Sequence, residues 1–226
     1  PRVRPGDKLV LRSLGRSGTL GAFVRTADGV HALTCEHVVS APGEKPRRGT
    51  KVACRSRAAD TRGVRSISLG EVTHWGDIDY RTATATVDAA LIRVTARRIA
   101  ANPHGVGRTT AGSVPEAEAL NRLLSVQKFG ATTGLTRGTI NGYFNLKNHL
   151  IDGFPCRING VLAVESSDAS GIFCDAGDSG SVVWEHGPVP ARAVGLLIAD
   201  SFMHRGYLLP IDRVLTSMGA VLESEY

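Results

Sequence analysis

The sequence predicts an all-β protein made of short strands closed into barrels, and three observations carry that expectation. β-prone runs recur along the whole chain with turn residues between them, the pattern of a barrel of short strands. Asp28-Gly29 separates two of these runs, and that pair favours the hairpin turns whose twist matches the strands. Helical signals are confined to two short segments. In order, Leu9-Val10-Leu11 and 21–25 read as strands, and Thr26-Ala27-Asp28-Gly29 turns the chain into the run Val30 to Cys35. Ser40 to Thr50 is a polar loop, Lys51 to Ala53 a strand, Arg55 to Gly63 a second polar loop, and Ser66 to Val72 and Ala89 to Val94 are strands. Arg97 to Ser113 is rich in Gly, Arg, Thr and Ala and reads as the connection between two halves. Ser113-Val114-Pro115-Glu116 has a serine cap, an early proline and acids in the first turn, so a short helix to about Leu124 is expected. Strands resume at Val126 to Phe129, Thr139 to Phe144, Val161 to Val164, Val182 to Trp184 and Ala193 to Ile198. Ile211 to Met218 has helical spacing and stops before Gly219.

Composition narrows the function classes. The 226 residues are 42% hydrophobic, enough for a sizeable core, and a chain of this length buries roughly 70–75% of its unfolded surface. No apolar run approaches the ~20 residues that span a bilayer, and no basic, apolar and small-residue leader pattern opens the chain. A start at Pro1 without Met reads as a processed form or a domain cut from a longer protein, which leaves room for additional domains or a regulatory protein partner. The net charge is +6, but the basic residues are dispersed and aromatics are only 5%, so nucleic acid is not the expected partner. Cys35, Cys54, Cys156 and Cys174 show no CxxC spacing, which argues against a zinc ribbon. Their even number permits disulfides without fixing a pairing, and scattered cysteines equally suit a reduced protein. The balance favours a cytoplasmic protein, with secretion left open. No metal or cofactor is expected.

The most informative stretch is Gly177-Asp178-Ser179-Gly180-Ser181. A serine between two glycines presents an exposed hydroxyl on a tight turn, because glycine reaches φ > 0 and lets a substrate approach. The consecutive N–H groups of Gly177, Asp178 and Ser179 are then placed to hold a developing oxyanion. A serine hydroxyl is a poor nucleophile until a base takes its proton. The candidate base is His37, in Ala32-Leu33-Thr34-Cys35-Glu36-His37-Val38-Val39. The candidate carboxylate is Asp88, which opens the apolar run Ala89-Ala90-Leu91-Ile92 and is costly there unless hydrogen-bonded. The bland readings are a satisfied core histidine, a strand-start aspartate and an ordinary Gly/Ser turn.

These segments occur in the order His, Asp, Ser, about 50 and then about 90 residues apart. With LTCEHVV around His37, VDAALIRV around Asp88, AGDSGSVVW around Ser179 and KFGATTGLTRGT from Lys128 to Thr139, the sequence resembles the trypsin/chymotrypsin-like serine peptidases, of the bacterial and plant intracellular type. That resemblance implies two six-stranded antiparallel β-barrels with a short inter-barrel helix and a C-terminal helix. Residues 1–112 would carry His37 and Asp88, and residues 113–226 would carry Ser179 and the specificity pocket. It implies a serine endopeptidase acting on protein or peptide substrates, with Ser179 as nucleophile, His37 as base and then acid, and Asp88 orienting His37. The N–H groups of Gly177 and Ser179 would form the oxyanion hole.

The chain departs from the family at three places. It does not begin with the hydrophobic end whose ammonium pairs with the acid of the GDSG motif, so Asp178 needs another partner or is solvated. Ser181 stands where a glycine is usual and crowds the turn. Cys35 precedes His37 by two residues, so the usual histidine-loop disulfide is not readable. By resemblance, the substrate pocket comprises Phe173, Cys174 and Asp175, then Ile198, Ala199 and Asp200, whose backbone would pair with substrate, and the region of His204 and Gly206. Phe173 stands about where trypsin-like members place their pocket acid, so the usual basis for cutting after Arg or Lys is missing. Phe173 with Ile198 would narrow the slot, so a small or medium apolar residue is expected before the scissile bond; Asp175 or Asp200 could supply a negative charge, and His204 could instead favour acidic or polar residues. The alternatives are a catalytically weak fold used as a binding or scaffold module, and an esterase.

Overall fold

Buried and less buried side chains alternate along runs such as Lys8–Leu11 and Lys51–Arg55, so one face of each turns inward as the runs pair into sheets. The computed structural model describes residues 2–55, 66–121, 123–200 (the side chain of Asp200 excepted) and 205–224. The strands β1 (Lys8–Leu11), β2 (Arg16–Thr19), β3 (Ala22–Thr26), β4 (Gly29–Thr34), β5 (Lys51–Arg55), β6 (Ser66–Trp75) and β8 (Ala90–Val94) share one sheet. β2 and β3 are the two arms of one strand bent at Leu20-Gly21. The first arm pairs with β1 and the second with β4, so the path β3-β4-β8-β6-β5-β1-β2 closes as six strands, β2 and β3 counting as one. The hairpin stands at 26–29 as expected, but its two-residue loop is Ala27-Asp28, neither with φ > 0. Gly29, with φ 113°, is the first residue of β4, paired with Thr26, so Asp28-Gly29 is not the central pair of the turn.

The second half is a closed ring. β10 (Ser125–Gly130), β11 (Gly134–Ile151), β12 (Phe154–Ser166), β13 (Val182–Glu185), β14 (Ala191–Asp200) and β15 (Gly206–Pro210) run in the order β11-β10-β13-β14-β15-β12, and β12 pairs back onto β11. Short strands tie the halves together. β7 (Thr84–Ala85) pairs with β12, β9 (Thr109–Ser113) with β14, and β16 (Val221–Leu222) with β3. With α1 (Glu116–Asn121) and α2 (Ile211–Met218), the architecture is the expected one: two six-stranded antiparallel barrels, an inter-barrel helix and a C-terminal helix. No helix among the described residues is long and apolar enough to cross a membrane.

α2 has the expected bounds, because Gly219 adopts the left-handed conformation (φ 57°) and its N–H reaches back to the Thr216 carbonyl. α1 is shorter than expected. Ser113 does not cap it but belongs to β9, and its hydroxyl donates to Asp212. The connection 97–113 is therefore not all loop, since its last five residues are strand. The expected polar loop 55–63 lies, after Arg55, outside the described residues, as does position 122 of the expected helix. β11 runs on to Ile151, well past Phe144. Its distal part is exposed Asn145, Lys147 and Asn148, with no apolar run to mark it as strand. It turns at Asp152-Gly153, both with φ > 0 (54° and 85°), a pair suited to a two-residue hairpin loop. All four cysteines are buried free thiols.

Candidate active site

His37 stands three residues beyond the end of β4, and Asp88 two residues before β8. Because Thr34 of β4 pairs with Ala90 of β8, the two side chains emerge at the same end of the first barrel. Asp88 Oδ2 lies 2.6 Å from His37 Nδ1, and Asp88 Oδ1 accepts the His37 main-chain N–H at 3.2 Å. Asp88 is 1% exposed. A carboxylate is tolerated at that depth because both its oxygens are hydrogen-bonded. Burial pulls the His37 imidazole down, but the charge of Asp88 and its hydrogen bond outweigh burial and hold His37 above the ordinary imidazole value. Glu36 is also buried. Desolvation pushes its carboxyl up to about 7, opposed by Lys45 at 3.0 Å.

Ser179 lies between β12 and β13, on the loop that carries it across from the second barrel. Gly177 and Gly180 both have φ > 0 (97° and 91°), and a Cβ on Gly180 would run into the Thr34 hydroxyl. The loop is pinned from both barrels. Thr19 donates its N–H to the Ser179 carbonyl and its hydroxyl to the Gly177 carbonyl, each at 2.9 Å, and Gly180 N–H reaches the Leu197 carbonyl at 2.8 Å. The N–H groups of Gly177 and Ser179 donate to no acceptor among the described residues. The Asp178 N–H is taken by the Asp175 carbonyl at 3.0 Å, so the expected run of three free donors is reduced to two. Ser181 is accommodated, because its hydroxyl turns inward to the Asp178 carbonyl at 2.6 Å. His37, Gly177 and Ser179 line one cleft of about 1010 Å³.

Asp178 is not solvated. It pairs with Lys128 Nζ at 2.9 Å, and both side chains are 0% exposed. Oδ1 accepts the N–H groups of Thr132 (2.8 Å) and Thr133 (3.2 Å), and Oδ2 accepts the Thr133 hydroxyl at 2.6 Å. Gly130 makes room, since a Cβ there would strike this carboxylate. Burial works against the charge on Asp178, but Lys128 and Thr133 outweigh it and hold the carboxyl below its usual value. The cation beside Asp178 is thus an internal lysine, carried by β10. Breaking a buried pair from one side leaves an uncompensated charge at a cost of about 3–5 kcal/mol. Lys128→Met should therefore lower unfolding stability in urea by about that amount, and adding Asp178→Asn should restore part of it. A loss of less than about 1 kcal/mol would mean that the pair is dispensable.

Of the expected substrate residues, Ile198 and Ala199 line the cleft, while Phe173, Cys174, Asp175 and Gly206 are not among its lining residues. The Phe173 ring is buried in the second barrel, where Gly138 and Gly206 leave it space, and Cys174 is buried beside it. Asp175 is exposed. The Asp200 side chain and His204 lie outside the described residues. The residues missed are Leu146 to Asp152 of the β11–β12 hairpin, and Arg16 and Ser17 of β2, all of which line the cleft. A lysine inside the β-prone run 126–129 was a legible signal for a buried ion pair; nothing in the sequence aimed the hairpin at the cleft.

Cys35 Sγ, a His37 ring nitrogen and an Asp88 oxygen lie within 4.8 Å of one another, the one such trio among the described residues. Burial pushes the Cys35 thiol well up and keeps it protonated, and it donates to the Leu197 carbonyl at 3.2 Å. A protonated thiol is a poor metal ligand, so the trio is packing around His37.

No family model and no curated protein sequence matches the chain. Solved structures do. A glutamic acid specific serine protease, described as using a histidine triad in substrate binding, superposes with TM-score 0.64 at 16% identity over 98% of this chain and 100% of its own. Protease A of Thermobifida fusca gives 0.63 at 19% identity over the same shares, and the chymotrypsin of Cellulomonas bogoriensis 0.61 at 18% over 98% of each. With both barrels matched along nearly the whole chain, the protein has the fold of the trypsin/chymotrypsin-like serine proteases.

Proposed function

We propose that the protein is a serine endopeptidase in which Ser179, His37 and Asp88 act together. The observation that carries this reading is the 2.6 Å contact between His37 Nδ1 and a buried Asp88, in the wall of the cleft that Ser179 also lines. Asp88 holds the Nδ1 proton, so Nε2 is left as the basic nitrogen. Ser179 Oγ adds to the substrate carbonyl carbon while Nε2 takes its proton, and the N–H groups of Gly177 and Ser179 receive the oxyanion. His37 then gives that proton to the departing amine, the C–N bond breaks, and an ester on Ser179 remains. Water attacks that ester, with its proton passing to Nε2, and the acid is released with Ser179 restored.

The substrate is protein or peptide chain laid along the edge Ile198–Asp200. The catalytic work divides between a unit of residues 1–112, carrying base and carboxylate, and a unit of residues 113–226, carrying the nucleophile. A cytoplasmic setting suits the four free thiols.

A fluorophosphonate probe tests the reading directly. One adduct per folded chain should form, and peptide mapping should place it on Ser179. Folded protein that does not label would leave the scaffold reading standing instead. Efficient ester turnover with no cut in a peptide library would favour the esterase.

A further inference from the structure

Two charged side chains meet beside His37 and take no part in the steps above. Arg16 lies on β2 of the first barrel. Asp152 lies at the tip of the β11–β12 hairpin of the second. Arg16 Nη2 donates to the His37 main-chain carbonyl at 2.6 Å, and the same nitrogen pairs with Asp152 Oδ1. The two side chains are 21% and 10% exposed, so solvent and salt screen them weakly. Asp152 Oδ2 is buried with no hydrogen-bond partner among the described residues, which leaves Arg16 as the cation its carboxylate is paired with. Both residues line the cleft with His37 and Ser179.

We propose that Arg16 and Asp152 form a clasp, one residue from each barrel, that holds the His37 backbone in place and sets the charge facing its imidazole, making them positioning residues for the base. The inference rests on the reading of His37 as that base. A merely structural pair would stabilise the hairpin and leave the imidazole indifferent. Here the two charges act on the ring in opposite directions: Asp152 favours the protonated imidazole and Arg16 the neutral one, both beneath the larger effects of burial and Asp88. The other groups around the ring are the Cys35 thiol and Glu36 of its own segment and Tyr80 near Asp88 and Asp152, with Lys147 and His149 on the hairpin wall of the cleft. None of these changes in the variants below.

The test is the titration of the His37 ring followed by NMR, with the pH dependence of fluorophosphonate labelling measured in parallel. Asp152→Asn keeps shape, and Asn tolerates the left-handed φ of 54°. Arg16→Gln keeps a donor for the His37 carbonyl. The His37 midpoint should fall in Asp152→Asn, rise in Arg16→Gln, and return close to the parent in the double variant. Arg16→Lys, which keeps the charge, should stay near the parent. The acid limb of labelling should follow each midpoint, with Asp152→Asn several-fold faster than the parent below its limb. Single variants whose midpoints coincide with the parent, or move the same way, would overturn the clasp. Midpoints that move as expected in a protein that never labels would keep the clasp and overturn the peptidase.

Discussion

Ser179→Ala should lower peptide turnover by about 10⁶-fold, the scale seen when such a nucleophile is removed, with no change in fold. Without Oγ no ester forms, and His37 has no proton to take from the enzyme. What survives is substrate binding and the two N–H donors of Gly177 and Ser179, which give residual rates only. The fold should not notice. The Ser179 side chain holds no hydrogen bond to any described residue, and the loop is fixed through main-chain groups: its carbonyl to Thr19 at 2.9 Å and Gly180 N–H to Leu197 at 2.8 Å. Stability should stay within about 0.5 kcal/mol of the parent, as for other changes that touch no packed feature. Initial rates on a cleaved peptide, with a urea titration of the same sample, separate the two effects. Normal cleavage by a well-folded Ser179→Ala protein would remove Ser179 from the chemistry.

The barrels and the glycine turn that carries Ser179 were legible because each has a local cause. Asp28-Gly29 marks a hairpin, Ile211 to Met218 ends on a left-handed glycine, and glycines flank Ser179 where the backbone needs φ > 0. The distal half of β11 was not legible. Its strand character comes from pairing with β12, through bulges, and not from its own apolar pattern. Lys128 inside its β-prone run signalled a buried ion pair, but that Asp178 is its partner was not legible, for a related reason. Lys128 and Asp178 are 50 residues apart, and only the closure of the second barrel brings β10 to the loop that carries Asp178 and Ser179. The clasp is the extreme case, since Arg16 and Asp152 are 136 residues apart and on different barrels. Sequence periodicity reports a side chain's face; it does not report what the opposite barrel places against that face.

Asp88→Asn should leave the imidazole in place and still cut turnover by roughly 10⁴-fold. The asparagine carbonyl can accept the His37 main-chain N–H as Oδ1 does now, at 3.2 Å. Its amide then faces Nδ1 across the present 2.6 Å contact as a donor. A donor there selects the tautomer with its proton on Nε2, the nitrogen that must accept the proton of Ser179. The same change removes the charge that holds His37 above the ordinary imidazole value, so burial takes over and the midpoint falls. The acid limb of the residual activity should therefore lie at lower pH than in the parent, although the rate is lower everywhere. Stability carries a second signature. A histidine raised in the folded state adds stability that is fully present below its unfolded value of about 6.5 and lost as pH rises through the folded one. The stability gap between parent and Asp88→Asn should therefore be wider below that value than in mild alkali. Urea midpoints across this range, together with the rate profile, distinguish a residue that sets a tautomer from one that only fills space. Turnover within about tenfold of the parent, with an unmoved acid limb, would make Asp88 packing alone.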